Sequence, residues 1–226
     1  MQPKLDFSKF EFHMFPGKKP SAKIYDLYYK SFRFWRDTWQ ASYNYFGWDP
    51  KSVYSDYWTR QDNIGVLTYD KEIVGTLFFD EKDLNNLPAR EDSYFRMWPD
   101  ESFNKIKNLP DSQRALICSF FTLGNEWRKE TRGVNAKYLL CSMATKYLTT
   151  TDYNFMVGTV VRMSNIHKMA YDLTAEMITE NVDEKGVTVD LIVWHRDRLM
   201  DFTYPKENEL IQQLWTENST PHLKVA

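Results

Sequence analysis

Apolar and polar residues recur with two different periods along the chain. Between residues 22 and 39, apolar side chains return every three or four positions, which predicts an amphipathic helix with Ser21 as its N-cap. From residue 64 the pattern changes to short runs of β-branched and aromatic side chains. Two such runs, 64–69 and 73–79, flank Asp70 and Lys71 and predict a β-hairpin with a tight turn.

The second half of the chain predicts buried strands that alternate with helices. Residues 115–123 form a nearly continuous apolar run, as expected of a strand that is covered on both faces. Helical spacing follows at 136–148 and 165–178, and further strands are predicted at 155–161 and 187–194. This order of elements predicts the α/β (α+β) class with a mixed sheet.

Neither a linker nor an internal repeat divides the chain, so we expect one main domain. This domain is predicted to span residues 21–200 and to contain a long polar and aromatic insertion at 80–112. Residues 1–20 are expected to form a loosely attached N-terminal arm with a short edge strand. Residues 201–226 are expected to form a C-terminal tail with a short helix at 207–215.

Composition and charge argue against several classes of function. A formal net charge of −2 gives no general reason to expect nucleic acid as a partner. Cys118 and Cys141 are too few for structural zinc, and no pair of histidines has metal-site spacing, so no metal is expected. Residues 1–20 lack the apolar core of a signal peptide, and no apolar run approaches the ~20 residues of a membrane span. We therefore expect a cytoplasmic protein with two buried, reduced thiols.

The most informative segment is the polar loop that follows the apolar run of 115–123. Gly133 opens the next helix and Ala136 keeps its first turn small, so backbone N–H groups can closely approach a ligand. The helix dipole adds partial positive charge, and together these features favour a bound phosphate. The basic residues around this turn are Arg128, Lys129, Arg132 and Lys137. An ordinary helix start with solvated basic side chains explains the same pattern.

The succession of elements resembles the GNAT superfamily of N-acyltransferases across residues 22–196. The family loop, Gln/Arg-x-x-Gly-x-Gly/Ala, corresponds to Glu130-Thr-Arg-Gly133-Val-Asn135, which keeps the middle glycine and differs at both ends. The resemblance implies a mostly antiparallel twisted sheet with a splayed central strand pair. It also implies acyl-CoA or acyl-pantetheine as co-substrate, without a permanently bound cofactor. The residues that it implies for donor binding are Leu123, Arg128, Arg132, Gly133, Val134, Asn135, Ala136, Lys137 and Asn165.

The same resemblance implies direct attack of an amine on a thioester. A backbone N–H group of residues 119–123 would polarise the thioester carbonyl, whose oxygen becomes an anion in the transition state. Tyr171 is the implied acid for the leaving thiolate, and Glu126 is a candidate base for the amine. Each has a structural alternative, because Tyr171 also fits a buried core residue and Glu126 an exposed loop residue.

Within the superfamily, the layout is similar to the acyl-homoserine-lactone synthases and the long-chain N-acyl amino acid synthases. Those enzymes have an aromatic-rich helical N-terminus, an insertion before the central strand, and fatty acyl carrier protein as donor. The lactone synthases carry Glu-x-x-Arg on the central strand, whereas residues 117–120 here have no charge, which argues against homoserine-lactone chemistry. The large apolar residues of the insertion either wall an acyl-chain tunnel or pack under a long loop. They are Tyr94, Phe95, Met97, Trp98 and Phe103.

Charge favours an acyl carrier protein as partner. Between residues 123 and 172, seven basic and four acidic residues give a net charge of +3, toward which an acidic carrier would be steered. A solvated helix face is the alternative. We predict an N-acyltransferase that moves a medium or long acyl chain from acyl carrier protein or acyl-CoA to the amine of an amino acid or similar small molecule. A short-chain acetyltransferase using acetyl-CoA and a GNAT-like binding module without activity are the other hypotheses.

Overall fold

The computed structural model describes residues 5–109, 113–129, 133–206 and 208–218. The strands are β1 (Phe10–Phe15), β2 (Asn63–Tyr69), β3 (Glu72–Asp83), β4 (Arg114–Leu123), β5 (Phe155–Val161), β6 (Glu176–Glu184) and β7 (Val187–His195). The α-helices are α1 (Tyr25–Phe46), α2 (Asp56–Thr59), α3 (Asp100–Lys107), α4 (Ala136–Thr150), α5 (Ile166–Asp172), α6 (Arg196–Met200) and α7 (Asn208–Asn218). In these described ranges, no helix combines the length and the apolar character that crossing a membrane requires.

The described strands form a seven-stranded sheet in the order β1-β2-β3-β4-β5-β7-β6. Antiparallel pairing joins β1 to β2, β2 to β3, β5 to β7 and β6 to β7. Strands β4 and β5 are parallel, and residues 116–118 pair with residues 156–158. Helix α4 makes the crossover that a parallel connection needs. The predicted mixed, mostly antiparallel sheet flanked by helices is confirmed.

The described residues divide into two compact units. The first unit takes its residues from 1–79, 120–143 and 204–226, and the second from 80–119 and 144–203. Strands β3 and β4 contribute residues to both units, because the boundaries at residues 79 and 120 fall within these two strands.

Aromatic side chains build the core of the first unit. Helix α1 places Tyr28, Ser31 and Trp35 on its buried face at the spacing of helical turns. The rings of Trp35 and Trp58 are both fully buried, and their centroids lie 5.7 Å apart. Phe78 of β3 completes this contact, with its ring centroid 5.4 Å from that of Trp35. Burial of such large rings supplies much of the hydrophobic stabilisation of this unit.

The predicted hairpin is confirmed, and its turn fixes the register of the two strands. Asp70 and Lys71 have φ angles of 50° and 68°, the left-handed pair that a two-residue hairpin turn requires. Strand β3 continues to Asp83, beyond the predicted end at residue 79. Gly75 permits a close approach in this strand, because a Cβ atom there would lie 2.6 Å from the backbone oxygen of Thr122.

The chain ends of the first unit contain a strand and a helix. Strand β1 is the predicted edge strand and pairs with β2, and its Phe12 and Met14 side chains are buried. The predicted short helix of the tail is α7, whose Ile211 and Leu214 are buried. The ring of Trp215 lies 6.3 Å from that of Phe12, so α7 packs on the edge strand.

The aromatic residues of the insertion contact one another in the second unit. Phe95 is buried, and its ring centroid lies 5.3 Å from that of Trp98 and 5.1 Å from that of Phe103. The indole N–H of Trp98 donates a hydrogen bond to the Thr159 hydroxyl of β5 at 3.2 Å. Burial raises the pKa of Tyr94, whose hydroxyl is 3.4 Å from the same threonine oxygen. These contacts are those of a packing cluster.

The helix predicted over residues 165–178 is too long, and the prediction missed a strand. Helix α5 ends at Asp172, and Thr174 has a φ angle of 68°, which turns the chain away from helical geometry. Strand β6 begins at Glu176 and forms an edge of the sheet. Met177 and Ile178 fit helical spacing, and β6 has an irregular burial pattern rather than strict alternation. The period of two that identifies a strand is therefore missing here.

Both cysteines are free thiols. Cys141 is buried in α4, and burial raises the pKa of its thiol to about 12, so it stays protonated at neutral pH. Cys118 in β4 is only half-buried, which corrects the expectation of two fully buried thiols.

A buried carboxylate joins β6 and β7 in the second unit. Asp190 of β7 is 0% exposed and accepts hydrogen bonds from the Arg162 Nε at 2.8 Å and from the backbone N–H of Asn181 at 3.0 Å. Asn181 has a φ angle of 55° and lies at a register shift between β6 and β7. Arg162 also donates to Glu180 at 3.1 Å on the exposed side. The carboxylate of Asp190 thus holds the irregular part of β6.

Replacement of Asp190 with alanine is expected to lower the free energy of unfolding by about 2–3 kcal/mol, because Arg162 and the Asn181 N–H lose their acceptor. Glu180→Ala is the matched control, since it removes the exposed partner of the same guanidinium and should cost less than about 1 kcal/mol. Urea unfolding followed by tryptophan fluorescence measures both variants. Equal losses in the two variants would contradict the role given to the buried carboxylate.

Candidate active site

Strand β4 changes its backbone conformation at Phe120. Its first half is a regular buried strand in which Leu116 and Ile117 pair with β5. Phe120 follows shortly after the last residue that pairs with β5 and has a φ angle of 49°. A bulky side chain disfavours this left-handed conformation, which persists only where surrounding contacts hold it. The peptide groups on either side of Phe120 therefore leave the regular strand orientation.

The Phe120 ring lies in an aromatic cluster of the first unit. Its centroid is 5.5 Å from Trp35, 5.1 Å from Trp39 and 5.2 Å from Phe78. Tyr57 adds a fourth contact at 5.4 Å. These rings fix the side chain of Phe120 from α1, β3 and the segment around α2, and so stabilise its backbone conformation.

Helix α4 begins at the predicted glycine loop. Gly133 is exposed with a φ angle of 83°, a conformation that glycine adopts without strain, and Val134 is buried beside it. The side chain of Asn135 accepts a hydrogen bond from the backbone N–H of Tyr138 at 3.1 Å, as an N-cap residue does. Ala136 is buried in the first turn.

Two predicted donor-binding residues lie next to this turn in the sequence. Lys137 is half-buried at the start of α4, and Arg132 lies outside the described residues, as does Glu130. The predicted phosphate-binding contribution of Arg132 therefore stays a prediction.

The loop after β4 brings three predicted site residues together in the first unit. The Nε of Arg128 donates to the backbone oxygen of Leu123 at 3.4 Å. Arg128 and Glu126 are exposed, and both line one cavity of about 700 Å³ with residues of α1 and of the β2–β3 turn. Gly124 leaves room for the carboxylate of Glu126, since a Cβ atom there would lie 3.2 Å from its Oε1.

The cavity carries charges of both signs. Lys30 pairs with Asp26 at 3.0 Å, whereas the side chains of Arg33 and Lys71 make no ion pair or hydrogen bond within the described ranges. The arrangement therefore offers cationic groups to an anionic part of a ligand, next to carboxylates that can hold a cationic part. The charged residues of the lining are Lys30, Arg33, Asp37, Lys71, Glu72, Glu126 and Arg128.

Asn165 and Tyr171 belong to the second unit, at the two ends of α5. Asn165 is exposed with a φ angle of 57°, and its side chain makes no capping hydrogen bond. The Oγ of Ser164 accepts instead from the backbone N–H of Ile166 at 3.4 Å.

The hydroxyl of Tyr171 is buried and makes no hydrogen bond with any described residue. Burial is the main cause that raises the pKa of this phenol, and the nearby carboxylate of Asp190 acts in the same direction. Arg162 lowers the pKa by a smaller amount. The phenol is therefore protonated at neutral pH and has a proton to donate, as the predicted acid requires.

The basic residues predicted to attract a carrier protein are not equally accessible. Arg128, Lys129 and Lys168 are exposed, whereas Arg162 is held by Asp190 and Glu180. Burial lowers the pKa of Lys146. The electrostatic argument for an acidic partner therefore depends on fewer side chains than the sequence count indicates.

No family model matches this chain, and no curated protein sequence matches it. Solved structures do match. BjaI, a CoA-dependent acyl-homoserine lactone synthase solved with SAM and isopentyl-CoA, has a TM-score of 0.59 at 8% identity, over 85% of this chain and 88% of its own. FeeM, an N-acyl amino acid synthase from uncultured soil microbes, has a TM-score of 0.52 at 12% identity, over 84% and 92%. The chain has the GNAT fold.

A third match extends the likeness to acetyltransferases of the GNAT fold. The putative acetyltransferase yncA from Salmonella typhimurium, solved with acetyl-CoA, has a TM-score of 0.50 at 9% identity, over 84% of this chain and 95% of its own. The predicted resemblance to the acyl-homoserine-lactone synthase branch is confirmed at the level of fold. In this GNAT fold, β4 is the strand predicted to lie beside the donor, and α4 is the helix that the glycine loop opens.

The sequence did not indicate three features of β4 and its surroundings. They are the left-handed Phe120, the buried Thr122 hydroxyl and the indole N–H of Trp39 that meets it. Phenylalanine normally avoids a positive φ, so no local pattern signals this conformation. Trp39 fits the apolar pattern of residues 22–39, and that pattern gives no sign of a hydrogen bond from its indole N–H.

Proposed function

We propose that this chain is an N-acyltransferase that moves an acyl group from a pantetheine thioester to the amine of an amino acid or similar small molecule. The observation that carries the proposal is the left-handed Phe120, just past the residues of β4 that pair with β5. It lies in the stretch whose backbone N–H groups are proposed to polarise the thioester carbonyl. A strand that stops pairing with one neighbour at this point can aim an N–H group at a ligand on that side.

The donor is proposed to be acyl carrier protein or acyl-CoA with a medium or long chain. The cap formed by Asn135 uses the Tyr138 N–H, so a phosphate at the start of α4 meets fewer donor groups than at an uncapped helix. The smaller number of donor groups supports a donor that also binds through contacts elsewhere on the protein. The exposed Arg128 and Lys129 could make such contacts with an acidic carrier protein. Reduced thiols favour the cytoplasm as the compartment.

The chemistry is a direct transfer from the thioester to the amine, assisted by three protein groups. The neutral amine attacks the thioester carbon, and the developing oxyanion accepts a hydrogen bond from a β4 backbone N–H. Glu126 takes the proton that the amine loses. The tetrahedral intermediate then expels the thiolate, to which the protonated Tyr171 gives its proton. The products are an amide and a free thiol. Tyr171 then regains a proton from solvent, and Glu126 releases its proton to solvent.

An amino acid acceptor is supported by the charges of the cavity in the first unit. Arg33 and Lys71 have no partner in the part of the chain that the structure describes, and both suit a carboxylate. Glu126 lines the same cavity and suits the amine. The structural likeness to FeeM, an N-acyl amino acid synthase, points to the same class of acceptor.

A screen of thioesters tests this proposal. Acetyl-CoA, decanoyl-CoA, palmitoyl-CoA and decanoyl acyl carrier protein are each incubated with the protein and a mixture of the twenty common amino acids. We expect free thiol to appear with the decanoyl or palmitoyl donors, to depend on the amino acids, and to be matched by an N-acyl amino acid in the mass spectrum. Omission of the amino acids is the control for simple hydrolysis.

Each outcome of the screen is decisive. Turnover of acetyl-CoA alone would overturn the assignment of a longer chain and support a short-chain acetyltransferase. Absence of thiol release from all four donors would contradict the proposed activity and favour a GNAT-like binding module.

A further inference from the structure

Two hydrogen bonds connect α1 to the irregular part of β4. The indole N–H of Trp39 donates to the Thr122 Oγ1 at 2.8 Å, and the Thr122 Oγ1 in turn donates to the backbone oxygen of Phe120 at 2.6 Å. The two directions are compatible, because a hydroxyl can accept one hydrogen bond while it donates another. Thr122 is only 2% exposed, so water competes little for this hydroxyl.

These bonds act on the peptide group that follows Phe120. The C=O of Phe120 and the N–H of Phe121 belong to one planar trans unit and point in opposite directions. A bond that fixes the carbonyl oxygen therefore also fixes the direction of the Phe121 N–H. Since Phe120 is left-handed, this peptide group is rotated relative to a regular strand.

The backbone around Thr122 is also held by packing. The Thr122 carbonyl approaches the backbone of Gly75 in β3 more closely than any side chain at position 75 would permit. A Cβ atom there would lie 2.6 Å from the carbonyl oxygen. The ring of Trp39 contacts the Phe120 ring at 5.1 Å, so the same tryptophan supports Phe120 through its ring and through its N–H.

We propose that Trp39 and Thr122 are positioning residues that aim the Phe121 N–H at the thioester carbonyl oxygen. The inference rests on the proposed function and names the oxyanion donor and the residues that orient it. Donors of this kind act because they are already oriented when charge develops, so a loss of orientation lowers turnover more than it lowers donor binding.

The test compares substitutions that remove the hydroxyl or the indole N–H with ones that keep it. Thr122→Val keeps the shape and loses the hydroxyl, Thr122→Ser keeps the hydroxyl, and Trp39→Phe keeps a ring and loses the N–H. Thr76→Val is the matched control, because Thr76 is a buried threonine of β3 whose hydroxyl has no partner among the described residues. Kinetics use the donor that the wild-type protein turns over in the thioester screen.

We expect Thr122→Val to lower kcat by about 10²-fold with KM for the donor changed by less than about threefold. Thr122→Ser should recover most of kcat, and Thr76→Val should match the wild type. Trp39 and Thr122 act as one unit, so their effects should not add. The kcat of the double variant Trp39→Phe with Thr122→Val should therefore lie within about threefold of the kcat of Thr122→Val alone. Crystal structures of the Val and Ser variants should show Phe120 left-handed only with Ser.

Failure of this inference differs from failure of the proposed function. A wild-type protein without thiol release would contradict the function and the oxyanion role with it. An active wild type with Thr122→Val as fast as Thr76→Val would overturn the positioning role alone. So would a loss of activity in Thr122→Val that comes only from a smaller folded fraction, as measured by thermal unfolding.

Discussion

Replacement of Tyr171 with phenylalanine is expected to lower kcat by about 10²-fold or more and to leave KM for the acyl donor within about threefold of the wild type. The ring and its packing are retained, and only the proton that the leaving thiolate needs is removed. The buried, unpartnered hydroxyl is the structural basis for this expectation. Steady-state kinetics with the donor found in the thioester screen measure it.

The pH dependence separates this role from a structural one. Burial raises the pKa of Tyr171, so the acid form is present at neutral pH and is lost as the pH rises through the raised pKa. The fall of kcat on the alkaline side should therefore be absent from Tyr171→Phe. Tyr204→Phe, at another buried tyrosine, is the control and should behave as the wild type. Full activity of Tyr171→Phe would show that another group protonates the thiolate.

Truncation of Trp35 to alanine is expected to lower the free energy of unfolding by about 3–5 kcal/mol, the largest stability effect that we expect from a single substitution. Its ring is fully buried and contacts Trp58, Phe78 and Phe120, so the loss leaves a cavity between α1 and the strands of the first unit. Urea unfolding followed by far-ultraviolet circular dichroism measures the change without relying on the deleted fluorophore.

Trp35→Phe is the matched comparison for that variant. It keeps an aromatic ring at the centre of the cluster and removes an indole N–H that is buried without a partner in the described structure. We expect a loss of less than about 2 kcal/mol, because removal of an unsatisfied donor offsets part of the lost packing. If alanine and phenylalanine were equally destabilising, ring packing would not be the source of stability at this position.

The sequence predicted those parts of the fold that local patterns determine. The hairpin followed from two apolar strands around Asp70 and Lys71, and both residues adopt the left-handed turn. Strand β6 was missed because tertiary pairing with β7, rather than an alternating pattern, places Glu176–Glu184 in the sheet. The carboxylate of Asp190 that holds this strand lies in an apolar run and gives no signal of its own.

For the candidate site, residue types were predictable and backbone geometry was not. The glycine loop lies at the start of α4 as the order of elements indicated, and the role of Tyr171 as the acid stays a prediction that the resemblance implies. The conformation of Phe120 depends on Trp39 and Thr122, which are 83 residues apart in sequence. A long-range hydrogen bond of this kind produces no periodic pattern of residue types in the sequence, so only the three-dimensional structure shows it.

The self-capped start of α4 also bears on how readily a donor is exchanged. Because Asn135 accepts from the Tyr138 N–H, one donor group of the first turn is satisfied by the chain itself. The helix start therefore does not have to order around a phosphate, and no folding of this turn is coupled to donor arrival or departure. For the proposed acyltransferase, which would release a spent thiol after every cycle, a preformed helix start favours fast release over long residence.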